Sequence, residues 1–233
     1  ARGSTMSKFP LDPCISRVLL EAADEGCMDE ISIIAAMIST ESVWYSRERT
    51  RGERDREAED AHAQFHHRHG DHLTLLNVWR AWEGQGFRHD WLRNNFLRAR
   101  AMKTARLIHQ QLASEVKKAQ LPSSSCGDDP KTLARTLTAG FFFSAARRCS
   151  DRIYKLLPKP RLQAGYAESQ PQFAFLDPAS VLALQTQPPT CVIFHELVFT
   201  AKPFMRCVLA TDHGILEQVG NVSHVPRHGL LVS

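Results

Sequence analysis

The chain lacks the short motifs by which most enzymes are recognised. Its 233 residues contain no GxxxxGK[ST] phosphate cradle and no GxGxxG dinucleotide turn. No GxSxG elbow presents a nucleophilic serine. The closest approach to a zinc-protease motif, His195-Glu196-Leu197, fails because Phe199 stands where HExxH needs its second ligand. No CxxC pair occurs among the cysteines (Cys14, Cys27, Cys126, Cys149, Cys191, Cys207). Scattered through a chain of this length, they point to reduced thiols and an intracellular compartment, not a disulfide framework. No apolar run approaches the ~20 residues of a membrane span. The opening ARGSTMSKFPLDP has no apolar segment of a signal peptide. Catalytic residues and metal ligands are therefore not expected.

Histidine is present in excess. His62, His66, His67, His69 and His72 crowd one short stretch. His62 and His66 could share a helix face, but His66, His67 and His69 diverge on any regular backbone, and no cysteine is near to complete a zinc site. They read as solvated or locally bonded rings. Asp128-Asp129 lies in a loop and reads as a turn or helix cap.

With 43% hydrophobic and 23% charged residues the chain has the balance of a soluble globular protein, one large domain or two small ones. The net charge of +4 is modest, but its distribution is uneven. Between residues 88 and 118 eight Lys/Arg face two acids, Asp90 and Glu115, a local balance of +6. Arg93, Arg100 and Lys103 project opposite an apolar row of Met102, Ala105, Ile108, Leu112 and Val116 at helical spacing. Trp91 and Phe96 are interleaved. Such a stripe fits phosphates and stacked bases, or the solvated outer face of a core helix.

The spacing predicts helices in the first half: one from Asp12-Pro13 through Ala22, a second around Ile31 to Ile38, a third over 72–82 ended by Gly84 and Gly86, and a long one over 90–118. Residues 46–60 alternate in charge and read as a solvated loop or exposed helix. The stretch 121–130, LPSSSCGDDP, is the best candidate boundary. A short helix over 133–148 follows, then strands. TCVIFHELVF and FMRCVLAT, joined by Thr200-Ala201-Lys202-Pro203, predict a hairpin. The reading is α+β, a helical region over 1–120 and a small β-barrel or sandwich over 121–233.

Several of these segments, in order, resemble the C-terminal region of DEAH-box (DEAH/RHA) RNA helicases. MSKFPLDPCISRVLL is similar to the family's FPLDP segment, and CMDEISIIAAMIST to the helix after it. Val43-Trp44-Tyr45 resembles the turn that follows. GDHLTLLNVW resembles GDHLTLLNVY, and WLRNNFLRARAM and HQQL resemble one helical stretch. LTAGFFFSAA and LDPASVL resemble SGFF-x-x-AA and HPSS-x-L. IFHELVFTAKPFMRCVLATD resembles YHELV-x-T-x-K-x-YMR-x-V-T-x-ID.

The resemblance implies the end of a winged helix and a ratchet-like (HA2) bundle over 1–120, and an OB-fold over 121–233. It implies that the region holds single-stranded RNA without sequence preference, and that the OB-fold couples a helicase-activating protein partner. ATP and magnesium would be bound by motor domains, not by this chain, in the nucleus or nucleolus. By position, Arg100 matches the family's ratchet arginine, and Thr200, Lys202 and Arg206 match the T-x-K-x-YMR hairpin. Together with Arg93 and Lys103 these are the candidate RNA contacts. A protein-docking scaffold that has lost its RNA grip is the alternative. Three departures motivate it: His109 for an arginine, Asp177 for a histidine, and Pro203 in the hairpin. After Asp212 the resemblance ends, which leaves the closing of the barrel open. Asp71 is expected to cap the helix carrying Leu73, Leu76 and Trp79. The histidines before it are expected to serve, if at all, as pH-sensitive charge near RNA.

Overall fold

In the computed structural model, residues 13–45, 56–157 and 171–224 are described. The expected start at Asp12, most of the charged loop over 46–60 and the end of the tail lie outside them.

Among the described residues seven helices precede a five-stranded barrel and one follows it. The first, α1 (Pro13–Glu25), buries Ile15, Val18, Leu19 and Ala22 and stops at Gly26, whose φ of +72° suits glycine. Next, α2 (Met28–Ile38) is apolar nearly all round and lies at the centre of the helical core. The third, α3 (Arg56–Ala63), is a short polar helix that buries only Ala58, so part of the charged loop is helical. Then α4 (Asp71–Gly84) carries Trp79 and Trp82, packed nearly perpendicular at 6.1 Å between ring centres, with Phe87 against both.

The expected single helix over 90–118 is two, α5 (His89–Asn94) and α6 (Ala99–Lys118). Phe96 breaks it with a φ of +53°. The break is held from outside, because the Tyr45 N–H donates to the Phe96 carbonyl and the Arg98 N–H to the Val43 carbonyl. Trp44 and Leu97 meet in a β-bridge at the same place. Helical spacing continues through the break, but tertiary bonding overrides it.

Residues 121–129 cross the surface as a tethered strap. The Glu30 carboxylate, only 3% exposed, accepts from the Ser125 hydroxyl at 2.6 Å and the Cys126 N–H at 3.2 Å, and pairs with Arg80 at 3.3 Å. Arg80 also pairs with Asp128. Asp129, as expected of that pair, caps the next helix, its side chain accepting from the Lys131 N–H. That helix, α7 (Pro130–Gly140), packs on α1 so closely that a Cβ on Gly140 would lie 1.8 Å from Val18 Cγ2. It ends earlier than expected: Phe142–Ser144 is a 3-10 turn, and Ala145 already belongs to a strand.

The strands are β1 (Ala145–Ser150), β2 (Ile153–Leu156), β3 (Phe173–Leu176), β4 (Cys191–Phe199) and β5 (Pro203–Thr211). They close in the order β1-β2-β3-β5-β4, with β3–β5 the parallel pair, as an OB-fold barrel does. Ala146, Tyr154, Ala174, Val192, Met205 and Val208, each 0% exposed, fill it. Cys191, Ile193 and Leu209 point the other way, into the helical core. The hairpin is as expected, and Pro203 opens β5, where its missing N–H costs nothing. The β1–β4 pairing closes the barrel without the tail. The tail itself begins as α8 (His213–His224), with Leu216 and Val219 buried. None of the described helices is long and apolar enough to cross a membrane.

Candidate nucleic-acid interface

The basic stretch on α5 and α6 divides by partner. Arg88 pairs with Asp90, Lys118 with Glu115, and Arg98 reaches Glu41 at 4.0 Å. The Arg106 guanidinium lies 4.0 Å from the centre of the Phe87 ring. Arg93, Arg100, Lys103 and Lys117 remain exposed, and no carboxylate among the described residues pairs with them. Arg100 and Lys103 are three apart on α6 and so neighbours on its surface. Leu107, one turn on, is 67% exposed, so this side of α6 is open.

The second group lies on the β4–β5 hairpin. Thr200 and Lys202 are exposed at its tip, where the Thr200 N–H donates to the Lys202 carbonyl. The Lys202 ammonium sits 4.7 Å over the Phe175 ring. Phe199, 62% exposed, flanks them, an exposed aromatic at the tip that sequence reasoning passed over. Arg206 is placed differently. It is held between Asp177 at 3.2 Å and Glu196 at 3.1 Å, so its charge is met within the barrel. Its pKa is raised, first by the hydrogen bond to Asp177. Asp177, a departure from the family pattern, thus supplies a partner for the arginine that pattern contains. The His109 ring packs 4.9 Å from Trp79 and its pKa is lowered by burial, so a half-buried imidazole stands at the position of the departure from the family pattern.

The histidine cluster does not converge. His62 makes a 2.9 Å contact with the Phe96 carbonyl and lies against Trp44. His67 and His69 stack at 5.2 Å, with the His69 N–H donating to His67 Nδ1. Burial first, and neighbouring charge second, hold His66, His67 and His69 below the usual imidazole pKa. Among the described residues no group of His, Cys, Asp or Glu could hold a metal.

Asp71 corrects an expectation. Its side chain does not cap α4. One carboxylate oxygen accepts from the Val181 N–H at 2.9 Å and the other from the Val208 N–H at 2.8 Å, both in the barrel half. Burial raises its pKa and the two N–H donors act against the rise. Beside it the Ala210 N–H donates to the His69 carbonyl at 2.7 Å. At Gly70, φ is +125° and a Cβ would lie 2.3 Å from the Val208 carbonyl, so only glycine fits. This latch fixes the helical stripe and the hairpin within one body.

The comparisons agree with this architecture. Residues 12–75 match the family model described as helicase associated domain (HA2), ratchet-like, and residues 133–221 match the oligonucleotide/oligosaccharide-binding (OB)-fold. The chain is similar to the pre-mRNA-splicing factor ATP-dependent RNA helicase prp22 of Schizosaccharomyces pombe. The two are 33% identical over 218 residues, which is 93% of this chain and 17% of that protein. The chain therefore spans less than a fifth of the length of that relative. Helical ratchet, OB barrel and ordered motifs together assign it: the chain belongs to the DEAH-box RNA helicases, as their C-terminal, helicase-associated region.

Proposed function

We propose that this region grips single-stranded RNA through phosphates, for an ATP-driven helicase whose nucleotide chemistry resides in motor domains. The observation that carries the reading is the set of exposed cations, Arg93, Arg100 and Lys103 with Lys117, that no carboxylate among the described residues pairs with, together with the exposed Thr200 and Lys202 on the hairpin. Phosphate contacts carry no sequence information, so the grip tolerates any sequence. The relative's name supports a nuclear role in pre-mRNA splicing. Coupling to an activating protein partner through the OB-fold belongs to the same reading.

Affinity for a labelled oligouridylate is the test. About four phosphate contacts give a slope of roughly −3 for log affinity against log salt, about 50-fold between about 50 and about 200 mM. Arg100→Ala and Lys103→Ala should each flatten that slope by roughly 0.7 and weaken all sequences alike. Salt-insensitive binding, or none at about 50 mM, would overturn the reading. The neutralised Arg206 and the ring at His109 favour a protein-docking scaffold instead. Partner recovery unchanged by RNase, with no RNA affinity, would establish that alternative.

A further inference from the structure

The β1–β2 hairpin carries a sequence that neither the fold nor the RNA grip uses. Arg147-Arg148-Cys149-Ser150 sets arginines three and two residues before a serine, and no other serine or threonine of the chain has both. The pairing of the strands gives this segment a particular geometry. β1 meets β2 at Arg147–Lys155 and Arg148–Tyr154, slips at a bulge, and resumes at Ser150–Ile153. On β2, Ile153 and Lys155 share one face, because Tyr154 between them points into the barrel. Cross-strand partners also share a face, so the bulge brings Ser150 and Arg147 together on the outer one. Three residues apart on a regular strand, they would face opposite ways.

Ser150 is exposed, and its hydroxyl makes no hydrogen bond among the described residues. Beside it Arg147 and Lys155, both exposed, face each other, and no carboxylate among the described residues pairs with either. Like charges directly opposite weaken an antiparallel pair, so this end of the sheet carries a cost that an anion would remove. Over residues 147–155 four cations, Arg147, Arg148, Arg152 and Lys155, meet one acid, Asp151, a local balance of +3. The serine is also easy to reach. It flanks the two-residue turn Asp151-Arg152, and β4 pairs with β1 only over Ala145–Arg147. Opening the last pair of a hairpin costs little, since the residues that fill the barrel here, Ala146 and Tyr154, stay in place.

We infer that Ser150 is a phosphorylation site for a protein kinase that reads paired arginines, and that Arg147 and Lys155 clasp the phosphate. Before the reaction the two arginines meet carboxylates of the kinase as bidentate pairs. Ser150 Oγ then attacks the γ-phosphorus of the kinase's magnesium-bound ATP. The Oγ–P bond forms, the bond to the β-phosphate oxygen breaks and ADP leaves, while the hydroxyl proton passes to the kinase's catalytic aspartate. Afterwards the phosphate, with a charge of about −2, lies on the face that Arg147 and Lys155 share. The patch falls from +3 to about +1. Phosphorylation thus ties β1 to β2 and withdraws cations from the surface, whether or not the chain grips RNA.

The test treats the folded full chain with γ-labelled ATP, magnesium and the catalytic subunit of cyclic-AMP-dependent protein kinase. Tandem mass spectrometry of the unaltered chain should then find the phosphate on Ser150. Arg147→Gln with Arg148→Gln should lower incorporation at least about tenfold, and Ser150→Thr should keep it. The phosphorylated chain should melt about 2–4 °C higher at low salt. Lys155→Gln leaves the recognised segment intact, so it should be labelled normally but lose that rise. No incorporation, or incorporation only at other residues, would overturn the site. Phosphate on Ser150 without a rise in Tm, or with the same rise in Lys155→Gln, would overturn the clasp. The site is located in the unaltered chain, so a variant that fails to fold leaves it decided.

Discussion

Replacing Asp71 by alanine is expected to cost about 4 kcal/mol of stability, the largest effect of any single polar substitution considered. The carboxylate is the acceptor for two enclosed backbone N–H groups, those of Val181 and Val208. Each donor left without an acceptor costs about 1–3 kcal/mol. Burial disfavours the carboxylate itself and returns part of that sum. Asn in its place keeps one acceptor oxygen but turns an amide NH2 toward the second N–H, so Asp71→Asn should lose about half as much. Gly70→Ala should be comparable, because its Cβ would meet backbone and not a side chain that can move aside. Urea unfolding followed by tryptophan fluorescence checks this. All tryptophans lie in the helical half, Trp44, Trp79, Trp82 and Trp91. A latch lost should lower the fluorescence midpoint and separate it from the far-UV transition, which also reads the strands. An unchanged midpoint with the two transitions still coincident would rule the latch out.

Acid should weaken the fold through His72. This ring is 0% exposed, near His195 and Phe141. Its pKa is lowered to about 3, by burial first and His195 second. The Val208 backbone favours the charged ring slightly without reaching hydrogen-bonding geometry. An unfolded chain protonates this histidine near 6.5 while the folded one keeps it neutral, so below 6.5 the unfolded state binds the extra proton. Stability is therefore full above about 6.5 and falls by about 1.4 kcal/mol per pH unit toward about 3, on the order of 3 kcal/mol by about pH 4. Asp71 works in the opposite sense, its raised pKa recovering some stability at the acid end. His72→Leu should remove close to one proton from the pH dependence of the urea midpoint between about pH 6.5 and about 4.5. Identical slopes in the two proteins would refute the assignment.

What the sequence made legible was local. The helices α1, α2 and α4 and the β4–β5 hairpin follow their apolar periods, because each buries one face against the core. The α5–α6 break was not legible, since Phe96 holds a left-handed φ only through bonds to residues 43–45. Strand β1, AARRCS, has neither β-branched residues nor clear alternation, and forms because β2 and β4 flank it. Asp71 looked like a cap because its true partners lie 110 and 137 residues away. Arg206 was read as an RNA contact by position, and nothing in its own segment indicates that Asp177, 29 residues earlier, meets its charge. Exposed cations such as Arg100 and Lys103 were the easiest to name, since solvated charge needs no distant partner.

The closure of the barrel limits how anything can bind it. Every strand has a hydrogen-bonded neighbour on both sides, with β3–β5 and β1–β4 completing the ring. Where β1 and β4 pair, over Ala145–Arg147 and Cys191–Ile193, no strand edge is open; beyond Ile193, among the described residues, β4 pairs with β5 alone and keeps one edge that an extended peptide could join. Elsewhere on the barrel recognition is left to side chains on its wall and to its loops, and only a partner seated along the outer half of β4 should be sensitive to N-methylation of its own backbone amides.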